Sequence, residues 1–183
     1  MERTRQTLGD LARLTALFDW LVRDHQEIGL LLDRAEGGGP HAGLDAAAFE
    51  SFRARLLRHI AIEEKVLFPA VQEARGGAPL AHRRRLRVEH AALTSLLVPT
   101  PDLALVSELR RLLEPHDELE EGPGGVYEEC MAALGERWRD VLDRARSYPA
   151  VKVAAHFDGR GTVRTAAAAL ERAVRVTSSG APR

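Results

Sequence analysis

Four clusters of glycine and proline divide most of the chain into long segments with the composition of α-helices. The clusters are EGGGPHAG at 36–43, RGGAP at 75–79, PTP at 99–101 and GPGG at 122–125. The segments between them are rich in Leu, Ala, Arg and Glu, which favour helices, whereas Gly and Pro interrupt them. We therefore predict helices at about residues 8–35, 45–74, 79–98 and 102–121. Thr100 and Pro101 predict the start of the last one, with Thr as the N-cap.

The apolar residues of each segment recur at steps of three and four, which is the spacing of one helix face. In the first segment, for example, Leu21, His25, Ile28 and Leu32 follow this spacing. Short connections between long amphipathic helices favour an all-α fold, an antiparallel up-down four-helix bundle. Periodic apolar residues after the GPGG cluster predict additional C-terminal helices. We predict a bundle over about residues 8–135 and a C-terminal helical extension with a frayed end over about residues 136–183.

The composition argues against several classes of protein. The formal net charge of the 183 residues is −1, which gives no electrostatic argument for nucleic acid or a membrane surface as a partner. No apolar run is long enough to span a bilayer, and the N-terminal apolar stretch is interrupted by charged residues, unlike a signal peptide. The single cysteine excludes an internal disulfide framework and a Cys-rich metal site, and it suits a cytoplasmic protein. The sequence does not define the oligomeric state.

Polar residues interrupt the apolar stripes in a repeated way. Each predicted helix carries one histidine in its stripe, and two helices add a glutamate one turn later: His25, His59 with Glu63, His90, and His116 with Glu120. Buried imidazoles and carboxylates are costly without partners, whereas a metal ion binds neutral imidazole and ionised carboxylate. Residues at i and i+4 share a helix face, so one helix can present both donors. The combined pattern predicts a dinuclear site with two bridging carboxylates. In the absence of a thiolate, these donors suit iron, manganese or zinc.

Three motifs in this pattern resemble those of the hemerythrin-like family, the HHE cation-binding domains. The motifs are HIAIEEKVLFP at 59–69, VEHAAL at 88–93 and HDELEE at 116–121. The resemblance implies an antiparallel four-helix bundle around a non-haem di-iron centre, so that iron is expected in preference to manganese or zinc. It also implies terminal ligands and bridging carboxylates at these positions: His25, His59, His90 and His116 as terminal ligands, Glu63 and Glu120 as bridges.

One position departs from the oxygen-carrying hemerythrins, which have a further histidine in an HxxxH pair on their third helix. Here Leu86 lies four residues before His90, and Thr94 lies four residues after it. The missing ligand position would then be filled by water, Glu64, Glu89 or Glu121, or stay open to a small molecule. We therefore expect a di-iron centre that reacts with O2, peroxide, nitric oxide or a related small molecule. The alternatives are a non-catalytic sensor or store of O2, NO or iron, and a di-iron oxidase or oxygenase of a small organic metabolite.

Other residues that could carry chemistry are interpreted as structural. His41 lies in a Gly/Pro loop and is predicted to be solvated, and His82 opens the charged run HRRRLR, which is typical of a solvated helix face. Cys130 is predicted to be a small buried apolar residue. Tyr127 would lie on the ligand face of the fourth helix if that helix resumed after GPGG, but we predict a packed core side chain.

Overall fold

The computed structural model describes residues 2–37 and 43–179, with side chains from residue 16 to residue 178 within these ranges. The loop histidine His41 and the tail residues 180–183 lie outside the described residues. Within the described ranges every regular element is a helix, and no residue lies in a strand. None of these helices combines the length and the apolar composition that crossing a membrane requires. The all-helical fold expected from the sequence is therefore confirmed.

All four helical segments predicted from the Gly/Pro clusters are present. The α-helices of the described residues are α1 (Glu2–Glu36), α2 (Ala46–Ile62), α3 (Phe68–Ala74), α4 (Arg83–Leu96), α5 (Leu103–Glu121), α6 (Val126–Leu134), α7 (Trp138–Arg146) and α8 (Ala166–Ser179). A π-helical turn (Glu63–Leu67) joins α2 to α3, and a 3₁₀ turn (Gly135–Arg137) joins α6 to α7. The second predicted segment thus forms one continuous helical run from α2 through the π turn to α3.

The π turn begins at one of the two glutamates in the apolar stripe. The backbone N–H of Phe68 donates to the carbonyl of Glu63, five residues earlier. Pro69 follows directly and has no N–H, so it cannot donate to the carbonyl of Lys65 as an α-helix would require. Single π turns inside α-helices occur frequently at functional sites.

Helix α5 begins within one residue of the predicted position, but its N-cap is a different residue. Its N-cap is Asp102, whose side-chain oxygen accepts a hydrogen bond of 2.8 Å from the backbone N–H of Leu105. Thr100 is engaged elsewhere, because its backbone N–H and hydroxyl both donate to the carboxylate of Asp158, at 2.9 and 2.6 Å. The predicted N-cap at Thr100 is therefore wrong, and the aspartate two residues later caps the helix instead.

The C-terminal helices pack onto the helices that precede them. Helices α6 and α7 are separated at Gly135, which has a positive φ of 51° that other residues rarely adopt. Side chains of α7 join those of α6 in one apolar cluster that also includes residues of α1. Helix α8 packs on α4 and α5 and buries Ala169 and Ala173 against them.

The buried apolar side chains form two clusters. The first cluster includes Phe49, Phe52, Leu93 and Leu109, and the second includes Ile62, Phe68, Leu86 and Val141. Along α1, Leu21 belongs to the second cluster, Ile28 belongs to the first, and His25 lies between them. Burial of each Leu, Ile or Phe contributes about 1.5–3 kcal/mol. Apolar packing on both sides therefore encloses a polar layer that would cost free energy if its groups were unpaired.

Candidate metal centre

The six side chains predicted as metal ligands meet in this buried polar layer. All are at most 6% exposed, and Glu63 and Glu120 are completely buried. Their donor atoms form two groups, within each of which all atoms lie within 4.8 Å of one another. The first group is His25, His59, Glu63 and Glu120, and the second is His90, His116, Glu63 and Glu120. Two histidines on either side thus share one pair of carboxylates.

In the first group the histidines meet through their Nε2 atoms. The Nε2 atoms of His25 and His59 are 2.7 Å apart. His25 Nε2 lies 3.4 Å from Oε2 of Glu120, and His59 Nε2 lies 3.4 Å from Oε1 of Glu63. Each histidine of this group therefore has one of the shared carboxylates beside it.

The second group uses the other oxygen of Glu63. Its Oε2 atom lies 3.2 Å from Nε2 of His90. The Nε2 atom of His90 is 3.9 Å from Oε1 of Glu120, and that of His116 is 3.5 Å from Oε2 of Glu120. The two oxygens of Glu63 thus face different groups, which is the arrangement that a bridging carboxylate needs.

Tyr127 contacts the first group, and it is completely buried. Its hydroxyl oxygen lies 2.6 Å from Oε1 of Glu63 and 3.1 Å from Oε2 of Glu120. The same oxygen is 3.1 Å from Nε2 of His25 and 3.3 Å from Nε2 of His59. Burial and the two carboxylates raise the pKa of Tyr127 well above its ordinary value. The hydroxyl therefore keeps its proton and donates a hydrogen bond to Glu63.

The outer ring nitrogen, Nδ1, of every one of the four histidines faces a carboxylate from a neighbouring helical segment. The pairs are His25 with Glu121 at 2.5 Å, His59 with Asp24 at 2.8 Å, His90 with Glu64 at 2.9 Å and His116 with Glu89 at 2.9 Å. We call these four acidic residues the outer carboxylates. Each can accept the hydrogen of Nδ1, which leaves Nε2 free to bind a metal ion.

The outer carboxylates form a closed ring around the centre. A carboxylate of α1 contacts the histidine of α2, and one of the π turn that continues α2 contacts the histidine of α4. A carboxylate of α4 contacts the histidine of α5, and one of α5 contacts the histidine of α1. Each of them is next to an inward-facing residue in the sequence, so it points about 100° further around its helix, toward the neighbouring segment. Three of them also accept hydrogen bonds from arginines: Asp24 from Arg55, Glu64 from Arg83 and Glu89 from Arg85.

Three of the outer carboxylates are the residues that the sequence offers in place of a fifth histidine. The structure places Glu64, Glu89 and Glu121 at Nδ1 atoms, outside the two groups of inner donor atoms. In this position they orient the imidazole rings. Asp24 is absent from the sequence-based set, although it directly precedes His25 as Glu89 directly precedes His90. That adjacency is the one signal that would have identified it.

Three of the outer carboxylates, Glu64, Glu89 and Asp24, are held in their ionised form. Burial raises the pKa of Glu64, but hydrogen bonds from His90 and Arg83 outweigh this effect and lower the pKa to about 2. Histidine and arginine partners likewise outweigh burial at Glu89 and Asp24, whose pKa values are also lowered. These carboxylates therefore remain acceptors across the neutral pH range.

The pKa values of the two inner carboxylates, Glu63 and Glu120, are shifted in opposite directions. Burial raises the pKa of Glu63, but His59 and His90 outweigh it and hold the pKa well below its ordinary value. Burial and the charge of Glu63 raise the pKa of Glu120 well above its ordinary value. Burial lowers the pKa of His90, but Glu63 and Glu64 outweigh it and raise the pKa to about 9. Protons therefore balance the inner charges of the protein alone, and a bound cation would displace them.

Unpaired polar atoms provide a test of whether these residues fit a metal ion. In the part of the chain whose side chains are described, four buried side-chain atoms have no hydrogen-bond partner, and three are inner donor atoms: Glu63 Oε2, His90 Nε2 and Glu120 Oε1. Buried polar atoms in folded proteins are nearly always paired. A cation between the histidines and the carboxylates would satisfy all three, so the residues present fit a metal.

A helical core with two groups of imidazole and carboxylate donors defines a metal-binding class of protein. The chain belongs to the hemerythrin family, because residues 16–140 match the model of the Hemerythrin HHE cation binding domain. The resemblance inferred from the three sequence motifs is thereby confirmed. Comparisons with curated proteins and with solved structures found no match.

Proposed function

We propose that this chain holds two iron ions and that the di-iron centre reacts with O2, peroxide or a related small molecule. The observation that carries the proposal is that two groups of donor atoms share both buried carboxylates, Glu63 and Glu120. Two carboxylates shared in this way can bridge two cations, while two histidines complete each side. Imidazole and carboxylate donors without a thiolate are compatible with iron, manganese or zinc, and membership of the family favours iron.

We infer that α1, α2, α4 and α5 form an antiparallel up-down four-helix bundle around this centre. The connections between consecutive bundle helices are short, at residues 37–45, 75–82 and 97–102, and short connections favour antiparallel neighbours.

Cys130 is a buried free thiol, which suits a reducing cytoplasm.

The residues of the chain would act on the ions in three ways. The four Nε2 atoms would each supply one neutral nitrogen ligand, while the outer carboxylates keep the hydrogen on Nδ1 and fix the orientation of each ring. The two apolar clusters would exclude bulk water, which strengthens electrostatic interactions inside the centre. Bound iron would supply electrons to, or take electrons from, an oxygen species.

A small molecule would bind to the ion on the side of His90 and His116. Leu86 lies one turn before His90, is completely buried and belongs to the second apolar cluster. It supplies no donor atom at the position where the oxygen carriers have a histidine. An ion held there by two histidines and two shared carboxylates would keep a free position, which reactive metal sites require.

The first prediction is that the purified chain binds two metal ions. The reason is that each group of donor atoms contains two histidines and that both groups share the same two carboxylates. Elemental analysis after expression in iron-replete medium should give two iron ions per chain, and azide should change the visible spectrum of the oxidised protein. A content that stays at one ion or fewer after anaerobic reconstitution would exclude the dinuclear centre.

The second prediction tests the open position through Leu86→His. The new imidazole would lie one turn from His90 on the same helix face and should fill the free position. We expect wild-type protein to evolve oxygen from hydrogen peroxide faster than free iron, and we expect Leu86→His to fall to the level of free iron at equal iron loading. Leu86→Ile, which nearly preserves the volume and adds no donor, serves as the matched control and should keep the activity.

The same assay separates turnover from a non-catalytic role. If the wild type does not exceed free iron, or if Leu86→His reacts as fast as Leu86→Ile, the open position does not drive the reaction. A centre that binds azide or nitric oxide reversibly without turnover would then favour a sensor or store.

A further inference from the structure

We propose that Tyr127 is a fifth protein ligand, through its phenolic oxygen, to the ion held by His25, His59, Glu63 and Glu120. This assignment rests on the proposed di-iron centre and adds a residue that the family motifs do not contain. It makes the two ions chemically different. The ion at His25 and His59 would have five protein ligands, including a phenolate, whereas the ion at His90 and His116 would have four.

The spacing of the donor atoms carries the assignment. Two ligands at right angles on an ion with bond lengths of about 2.1 Å lie about 3.0 Å apart. The hydroxyl oxygen of Tyr127 lies 2.6, 3.1, 3.1 and 3.3 Å from the four donor atoms of the first group. These distances fall on both sides of the expected value. The phenolic oxygen therefore has the spacing expected of a fifth ligand to an ion bound by the four donor atoms.

Three distances among the four donor atoms are of similar size. The Nε2 atoms of His25 and His59 are 2.7 Å apart, and the distances from His25 to Glu120 and from His59 to Glu63 are both 3.4 Å. The ring of Tyr127 also stacks on that of His25, with centroids 5.6 Å apart and an angle of 29° between the planes. Stacking fixes the direction from which the hydroxyl enters the group.

The GPGG cluster brings Tyr127 to this position. Helix α5 ends at Glu121, the chain turns through 122–125, and α6 begins at Val126, so that Tyr127 contacts Glu120, seven residues earlier. Gly124 has a φ of 73°, and a Cβ at Gly125 would lie only 2.6–2.8 Å from three backbone carbonyl oxygens. Both positions therefore require glycine. The turn has a function beyond ending a helix, because it delivers the phenol to the donor atoms.

A core tyrosine without a role in the centre would be expected to satisfy its hydroxyl with one or two partners. Tyr127 instead meets four side chains of the proposed centre, and in the described part of the chain its hydroxyl has hydrogen-bond contacts with no other residue. When the ion binds, the O–H bond breaks, the metal–oxygen bond forms, and the proton is released to solvent.

The test compares the full chain, loaded with ferric iron, with Tyr127→Phe. A phenolate ligand gives a visible absorption band by charge transfer to ferric iron, and excitation into that band enhances phenolate vibrations in the Raman spectrum. We expect wild type to show both signals and Tyr127→Phe to lose both while retaining two iron ions. The chain has two tyrosines, so Tyr148→Phe is the matched control and should keep the band.

A second measurement uses the wild type alone and does not depend on how the variant folds. Zinc, which is not redox-active, should ionise one tyrosine per chain, as seen in the ultraviolet difference spectrum. Phenolate signals that are absent from wild type with two bound ions, or that persist in Tyr127→Phe, would overturn the assignment and leave the di-iron centre intact. A wild-type chain that binds no metal would overturn both.

Discussion

Removal of the metal ions is expected to lower the melting temperature of this protein by roughly 15–30 °C. An ion that binds only the folded chain stabilises it by about 4 kcal/mol at a thousandfold excess over its dissociation constant. For a domain of this size, each kcal/mol changes the melting temperature by about 2–4 °C. Two sites therefore account for the expected shift. Thermal unfolding followed by circular dichroism, with and without complete chelation, measures it.

The pH dependence of this shift provides its internal control. In the metal-free protein, the raised pKa of His90 contributes stability that is present below pH 6.5 and is lost as the pH rises through about 9. Metal binding requires neutral imidazole, so the affinity of the protein for the ions increases over the same pH range. The difference between the two melting temperatures should therefore grow from pH 6.5 to pH 9. Superimposable melting curves would mean that the inner residues satisfy one another without a cation.

Glu63→Gln is expected to abolish the binding of both ions. Glu63 presents Oε1 to His59 and Oε2 to His90, so a single substitution removes a negative charge from both groups of donor atoms. Glutamine has nearly the same volume, so the apolar packing around it should persist. Metal content after reconstitution should fall below one ion per chain, against two for the wild type.

Glu64→Gln is the matched control for this experiment. Glu64 is the next residue along the chain, but its carboxylate contacts the outer nitrogen of His90 and Arg83. Loss of such an outer contact typically weakens metal binding by about 10–100-fold without removing a ligand. We expect Glu64→Gln to retain both ions in excess metal. Equal losses in the two variants would show that Glu63 has no special role as a bridge.

The sequence predicts the helices well because their signals are local. Gly/Pro clusters and apolar steps of three and four identify α1, α4 and α5 and the run from α2 to α3 to within a few residues at most ends. The N-cap of α5 is missed because Asp158, which is distant in the sequence, binds the predicted cap Thr100. The π turn is missed because a regular stripe through His59, Glu63 and Val66 reads as an uninterrupted helix.

The inner donor side chains can also be predicted from the sequence, but for a different reason. A histidine in an apolar stripe is costly unless it has a partner, so His25, His59, His90 and His116 stand out together. The outer carboxylates do not stand out, because a charged residue beside the stripe usually faces solvent. Whether Asp24 meets water or His59 depends on how α1 is rotated against α2, and that rotation is a tertiary property. The role of Tyr127 is ambiguous in the sequence for the same reason, because its position depends on the turn at GPGG.

The ring of outer carboxylates has a mechanical consequence. Helices packed by apolar contacts alone can slide or rotate slightly against one another at little cost. Here each of the four helical segments both orients an imidazole on the next segment and has its own imidazole oriented by the previous one. Displacement of any one segment therefore misaligns two rings on two different helices. The rigidity of the centre thus belongs to the whole circuit, and it exists before any ion arrives.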